Sequence, residues 1–353
     1  MSLGPLMIDI EGTVLTPEDR ELLRHPLVGG VILFSRNFVD RQQLTALTAG
    51  IHALRNPHLL VAVDHEGGRV QRFRSGFTVL PPAARLGEVF DAQGQAAAEL
   101  VRDCGRLLAA ELRAVGVDFS FAPVLDLGGR HSSVIGDRAF HKSPQAIATI
   151  AQWFVAGMHE GGMGAVAKHF PGHGSVREDS HHEMPVDPRP LDEILANDLL
   201  PFRLLCAAGI EGVMPAHVVY PEVAPQAAGF SPRWLQQILR DELGFRGAVF
   251  SDDISMAGAS VAGGYPERAE AALAAGCDMV LVCNNRDAAA AVIGALRHEP
   301  QPLAGVRMMR LHGRRPPCNS YELEHDEYWQ QLATRVAALN GTPELDLDDG
   351  QLA

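Results

Sequence analysis

Leu59-Leu-Val-Ala-Val-Asp64-His-Glu-Gly-Gly-Arg69 decides the fold. Five apolar residues stand in a row before Asp64, with no polar side chain alternating between them. A strand with one wet face alternates apolar and polar residues; an unbroken apolar run suits a parallel strand covered on both faces. The run then stops at a carboxylate. Seven more segments read in the same way, so the pattern predicts strands at residues 6–10, 30–34, 59–64, 117–121, 165–169, 212–215, 248–251 and 279–283.

Amphipathic stretches rich in Ala, Leu and Arg fill the gaps and predict helices at residues 41–54, 94–115, 144–160, 191–208, 232–243, 266–275 and 287–296. An earlier helix is announced by Thr16 as N-cap, Pro17 at the first helical position, and Glu18 and Asp19 in the first turn. Gly116, Gly161, Gly209, Gly244 and Gly276 follow helices, where a left-handed residue is expected. About eight successive βα units predict an α/β protein of the (β/α)8 TIM-barrel type, with an open doubly wound sheet as the alternative. The barrel is expected over residues 1–298. Residues 299–353 are expected to wrap around it as a loop, with a last helix over 324–339 and a mobile acidic end from 343.

The chain has 353 residues, a length that suits one such barrel plus an extension. Hydrophobic residues make up 46% and charged residues 21%, which supplies a large core and excludes general disorder. The net charge of −13 argues against nucleic acid or an anionic membrane as partner, and points to a substrate that is neutral or of mixed charge. Cys104, Cys206, Cys277, Cys283 and Cys318 are odd in number, scattered and free of any C-x-x-C spacing. They read as buried reduced thiols rather than a disulfide framework or a thiolate metal site. Met1 to Asp9 carries no Lys or Arg, and Asp9 interrupts its apolar stretch, so no signal peptide is expected. With no membrane-length apolar run either, the expected location is the cytoplasm.

In α/β barrels the active site forms at the C-terminal ends of the strands. Asp64 ends the third predicted strand, Asp126 follows the fourth, Lys168 and His169 end the fifth, His217 follows the sixth, and Asp252 and Asp253 end the seventh. Any one of them could cap a loop. Their convergence from five strands onto one rim is the physical argument for an enzyme. Beyond Lys168-His169, the residues Pro171, Gly172 and Gly174 prevent a helix and allow a long, hinged loop. On that loop Asp179 and His181 are two residues apart, close enough for the carboxylate to orient the imidazole and favour a pKa near neutrality. The same histidines, with His65, His173 and His182, admit a zinc reading. Against it, no H-x-H stands at a strand end and the Gly/Pro-rich spacing suits a moving loop better than a ligand cage.

With these residues in view, the chain resembles glycoside hydrolase family 3, and within it the single-domain bacterial β-N-acetylglucosaminidases of peptidoglycan recycling. The resemblance rests on Ile32-Leu-Phe-Ser-Arg-Asn37, Asp64-His-Glu-Gly-Gly-Arg-Val-Gln-Arg72, Phe121-Ala-Pro-Val-Leu-Asp126 and Ile135-Gly-Asp-Arg-Ala-Phe140. It rests also on Lys168-His-Phe-Pro-Gly-His-Gly174 with Asp179-Ser-His181, on Met214-Pro-Ala-His217 and on Phe250-Ser-Asp-Asp-Ile-Ser-Met256. The long loop motif is the specific one. The match runs over roughly residues 6–297 and fades in the tail.

The resemblance implies a retaining exo-glycosidase. Asp252 would attack the anomeric carbon, and His181 supported by Asp179 would act as acid and then base. Asp64, Arg72, Arg138, Lys168 and His169 would grip the sugar. Other readings are ion pairs bracing loops for Arg72 and Arg138, a structural carboxylate for Asp253, and packing for Trp153 and Trp234. The implied substrate is a small sugar or muropeptide, GlcNAc-anhydroMurNAc-peptide, handled by a monomer that uses no cofactor or metal and serves cell-wall recycling, cell division and cell shape. A family 3 β-glucosidase or phosphorylase, a zinc-dependent hydrolase and an inactive sugar-binding module are the competing readings.

Overall fold

The computed structural model of the chain describes residues 3–129, 132, 134–176, 184–297, 301–314 and 319–340. Eight short strands carry the barrel: β1 (Leu6–Ile8), β2 (Val28–Leu33), β3 (Leu60–Val63), β4 (Phe119–Ser120), β5 (Val166–Phe170), β6 (Gly212–Pro215), β7 (Ala248–Val249) and β8 (Val280–Val282). One parallel ladder runs β8-β1-β2-β3-β4 and another β5-β6-β7. Single parallel bridges, Ser120–Ala165 and Phe250–Met279, span the two seams between the ladders, so the strands follow one another around a ring in chain order. Every residue of β2 and β3 is buried, as a strand covered by helices outside and side chains inside must be.

The paired segments are shorter than the apolar runs that announce them. Ile10 and Phe121 lie beyond the ladders yet are fully buried. Apolar character reports removal from water, and it continues past the last paired residue of the ladder; the Phe121 N–H still donates to the Val63 carbonyl at 3.0 Å.

The helices alternate with the strands as expected. Thr16 Oγ1 accepts from the Asp19 N–H at 3.1 Å, and Asp19 accepts from the Thr16 N–H at 3.0 Å, a reciprocal cap that starts the helix Pro17–Leu23. The predicted helix 191–208 is two helices, Leu191–Ala196 and Leu199–Ala207. Pro201 explains the break: its ring would collide with the carbonyl of Asn197 in a continuous helix, and it has no N–H to give there. Asp198 at the junction is buried against the Arg189 guanidinium, at 2.8 and 3.1 Å. Arg233–Glu242 winds as a π-helix rather than an α-helix, closed by Leu243 N–H donating to the Ile238 carbonyl.

Gly116, Gly209, Gly244 and Gly276 take the left-handed conformation after their helices. Gly161 does not: it stays helical at φ −72°, and the left-handed residue is its neighbour Gly162. Helix Ala83–Gln93 and the hairpins His65–Gly67 with Val70–Gln71 and Val219–Tyr220 with Ala224–Ala227 are additions to the sequence reading. A helix, Pro302–Met309, also stands where a loop was expected. Further on, Ser320–Glu324 and Glu327–Ala337 pack against the barrel, burying Leu323, Trp329, Leu332 and Val336. Tyr328 bonds Arg106, and Arg335 pairs with the buried Asp103, both partners lying on helix Ala98–Ala114. The expected acidic end, from residue 343, lies outside the described residues.

Cys104, Cys206, Cys277 and Cys283 are free and buried, and burial pushes the Cys104 thiol up to about 12. Trp234 is fully buried against Phe170 and Tyr220, and Trp153 packs at a tilt against Phe90; both are packing residues. Among the described residues no helix is long and apolar enough to cross a membrane.

Helices Ala98–Ala114 and Pro144–Glu160 touch through glycines. A Cβ on Gly105 would lie 2.1 Å from the Phe154 carbonyl oxygen, and one on Gly157 would lie 1.9 Å from that of Arg102. Backbone cannot yield locally, so Gly157→Ala should cost about 1–3 kcal/mol of unfolding free energy. The expected reading is a lower denaturant midpoint at unchanged slope; a midpoint equal to wild type would show that the helices separate freely.

Candidate active site

The rim at the C-terminal ends of the strands opens into a cavity of about 430 Å³, within the range of small-molecule sites. Its lining includes Asp64, Arg72, Arg138, Lys168, His169 and Asp252, so these predicted site residues are brought to one place. Asp179 and His181 lie outside the described residues.

The floor is an ion cluster. Lys168, fixed in β5 and almost fully buried, donates from Nζ to Asp64 Oδ1 at 2.7 Å and pairs with Glu66 Oε1 at 2.7 Å. Arg138 clamps Glu66 from the other side in a two-point fork, Nε to Oε2 and Nη2 to Oε1, each 2.8 Å. Burial alone would push the Glu66 carboxyl up, but Arg138 and Lys168 outweigh it and keep the group well below the usual carboxylate range. Lys168 answers in kind: burial favours the neutral amine, yet Asp64 and Glu66 raise its pKa above the ordinary value. Arg72 Nη2 approaches Asp64 Oδ2 at 3.8 Å, its guanidinium 5.7 Å from the Phe34 ring centre.

Beside this floor, His169 shares its Nδ1 with Asp126 Oδ2 at 2.6 Å. Asp126 is fully buried, and its Oδ1 accepts the backbone N–H of His173 at 2.6 Å. One carboxylate thus sets the His169 ring and the start of the following loop. Burial lowers the His173 pKa and favours a neutral ring. His65 faces elsewhere, packed on Phe73 and Phe77, and burial takes its pKa down to about 3. Among the described residues, the one group of three side chains placed to share a metal ion is His52, His58 and Asp118, none of which lines the cavity.

Asp252 follows β7 by way of Phe250 and Ser251, and its Oδ1 accepts from the Asp253 N–H at 2.8 Å. Asp253 is tied into the rim. Its carboxylate accepts from Ser255 N–H at 2.9 Å, Ser255 Oγ at 2.7 Å and Cys283 N–H at 3.1 Å. His217 Nε2 donates to the Asp253 carbonyl at 3.1 Å while its ring stacks on Phe230, and burial favours its neutral form. The loop after β7 is therefore held from β6 and β8 at once.

Glu66 and Asp126 are the residues that sequence reasoning left without a role. Glu66 carried a usable signal: it stands two residues from Asp64, the spacing that returns a side chain to the same face of an extended chain. Asp126 was placed at the rim, but its grip on His169 needs the close approach of β4 and β5, which spacing does not reveal.

Burial raises the Asp253 carboxyl to about 6, with the Asp252 charge adding to the effect. Its unfolded value is about 3.9. The protonated carboxyl is the form that the fold favours, so its stabilising contribution is complete below about pH 4 and is lost as pH rises through about 6. Asp253→Asn removes that titration. The stability of the variant relative to wild type should grow between pH 4 and 7 in denaturant titrations; parallel pH profiles would show that the charge is not the source.

The chain matches the family model described as the glycosyl hydrolase family 3 N terminal domain over residues 7–308. It is 58% identical over 349 residues to a beta-hexosaminidase of Thioalkalivibrio sulfidiphilus, covering 99% of this chain and 100% of that one. A beta-hexosaminidase of Nitrosospira multiformis is 54% identical over 339 residues, covering 96% and 97% of the two chains. Among solved structures, NagZ from Neisseria gonorrhoeae in complex with N-trifluoroacetyl-D-glucosamine superposes with a TM-score of 0.92 at 45% identity, covering 96% of this chain and 99% of that one.

Proposed function

The chain belongs to glycosyl hydrolase family 3, and from that premise we propose that it is a retaining exo-β-N-acetylglucosaminidase that forms a covalent glycosyl-enzyme on Asp252. That it is a glycoside hydrolase of the beta-hexosaminidase group follows from the family and from relatives matched over 97–100% of their length. The observation that carries the finer reading is the shared cavity: Asp252 enters from β7 while Asp64, Lys168, Arg72 and His169 enter from β3, its hairpin and β5.

A neutral sugar binds through its hydroxyls. Asp64 accepts from them, and Lys168, Arg72 and Arg138 surround that carboxylate with cationic donors, the pairing that makes such bonds strong. With the ring seated, the Asp252 carboxylate attacks the anomeric carbon from one face, and the glycosidic oxygen leaves with a proton. His181 oriented by Asp179 delivers that proton, then takes one from the water that hydrolyses the intermediate. An imidazole does both near pH 7 without the burial that a carboxylic acid needs.

The acetamido preference draws on the relative solved with N-trifluoroacetyl-D-glucosamine. The proposed substrate is the non-reducing GlcNAc of peptidoglycan fragments, GlcNAc-anhydroMurNAc-peptides. The proposed setting is a cytoplasmic monomer engaged in cell-wall recycling, with consequences for cell division and cell shape, and without nucleic-acid or membrane partners. The net charge of −13 agrees with those exclusions.

The test is chromophore release from an aryl β-N-acetylglucosaminide beside the matching β-glucoside, each with and without EDTA, and in phosphate as well as neutral buffer. Selective turnover of the acetamido sugar, unchanged by EDTA and giving free sugar in either buffer, is expected. Asp252→Ala should lower kcat by several orders of magnitude, as loss of a covalent nucleophile does. Full turnover by that variant would remove Asp252 from the mechanism. Turnover of the glucoside alone would change the substrate, and a sugar phosphate product would change the acceptor.

A further inference from the structure

At the opposite end of the barrel, where the strands begin, His52, His58 and Asp118 come together. His52 ends helix Arg41–His52, His58 precedes β3, and Asp118 precedes β4. Each offers one ligand atom, and these atoms all lie within 4.8 Å of one another. We propose that His52, His58 and Asp118 form a structural site for a zinc-class divalent ion that clamps the base of the barrel.

The chemistry of the donors fits such an ion. Two imidazoles and a carboxylate are a borderline-soft set that zinc accepts in tetrahedral geometry, with a fourth position for water. Ligands held about 2.0–2.1 Å from a tetrahedral ion stand about 3.3 Å apart; His52 Nε2 and Asp118 Oδ2 are already 3.1 Å apart. His58 closes the remaining distance. Its ring centre is 4.3 Å from that of His52, and all three ligand atoms lie within 4.8 Å of one another.

The second nitrogen of His58 is placed as in metal sites generally. His58 Nδ1 lies 3.2 Å from the Leu59 carbonyl, which can only accept, so the proton sits on Nδ1 and Nε2 keeps its lone pair. Asp118 is anchored for one-point ligation: Oδ1 takes the Arg113 guanidinium at 2.9 Å, and Oδ2 accepts the Val61 N–H at 2.9 Å. Its Oδ2, 3.1 Å from His52 Nε2, is the oxygen that faces the imidazoles.

The site also reaches the C-terminal extension. His312 meets His58 edge to face, ring centres 4.3 Å apart, and donates from Nε2 to the His58 carbonyl at 3.1 Å. Its Nδ1 is buried with no hydrogen-bond partner. The start of β3, the start of β4, the end of a barrel helix and the extension would thus meet at one ion. At this face of a barrel, such an ion serves stability rather than turnover.

The test uses the full chain, stripped with EDTA and dialysed, titrated with zinc chloride by calorimetry and with cobalt(II) by visible absorption. One equivalent of zinc, a tetrahedral cobalt spectrum and a rise in Tm on zinc addition are expected. His52→Gln and His58→Gln should each weaken zinc binding by more than the roughly 10–100-fold that outer-shell changes cost, while keeping the metal-free kcat/KM. His58→Gln serves as the second arm should His52→Gln fail to fold. His169→Gln should still bind the ion. No binding by the wild type, binding unchanged in both base variants, or binding lost only with His169→Gln would each overturn the proposal.

Discussion

Glu66 between Lys168 and Arg138 is the interaction on which the cavity depends. These are buried charges, with side chains 7%, 3% and 11% exposed. Removing one partner from a buried cluster leaves the others uncompensated, at a cost of about 3–5 kcal/mol. The cluster therefore acts as one unit and joins three separate pieces of chain. β5 brings Lys168, the hairpin after β3 brings Glu66, and the short turn Gly136–Arg138 brings Arg138. Asp64, at the edge of the unit, is steadied through one oxygen by Lys168 and turns the other toward Arg72. A carboxylate set in this way is preorganised to accept from a ligand.

The barrel explains why such a unit can exist. Short strands with both faces buried are stiff, and each ends at the same rim. Charged residues within the strands or up to three positions past their ends, such as Lys168, Asp64 and Asp252, inherit that stiffness. The loop after β7 shows the same logic in neutral form: Asp253 takes hydrogen bonds from Ser255 and from the backbone of Cys283, and His217 grips its carbonyl. Asp252 is thus aimed by a loop tied to strands on either side. The base of the barrel gathers a different set, His52, His58 and Asp118, where the extension returns.

The fold was legible because burial writes directly into composition. Each of the eight barrel strands lies where a short apolar-rich segment predicted it, even the segment Val117-Asp-Phe-Ser-Phe121 with its two polar residues, and the capping box at Thr16 and Asp19 was readable from residue types alone. What escaped was set by local sterics and by distant contacts. Pro201 splits a helix whose apolar pattern runs straight through it. Gly161 and Gly162 are equivalent to any reading that asks only for a glycine, and geometry chose the second. Helix Pro302–Met309 buries only Ala304 and Met308, too little apolar periodicity to separate it from a loop. Among site residues, those at strand ends were legible from position, whereas Glu66 and Asp126 act through partners 102 and 43 residues away in sequence, Lys168 and His169.

A glycosyl-enzyme on Asp252, as proposed, requires two inversions at the anomeric carbon and so net retention of configuration. The most direct measurement is proton NMR of the anomeric region during the first minutes of hydrolysis of a β-N-acetylglucosaminide, before mutarotation mixes the products. Release of the β-anomer first is the result expected. The α-anomer appearing first would mean that water attacks directly, and would contradict a glycosyl-enzyme on Asp252.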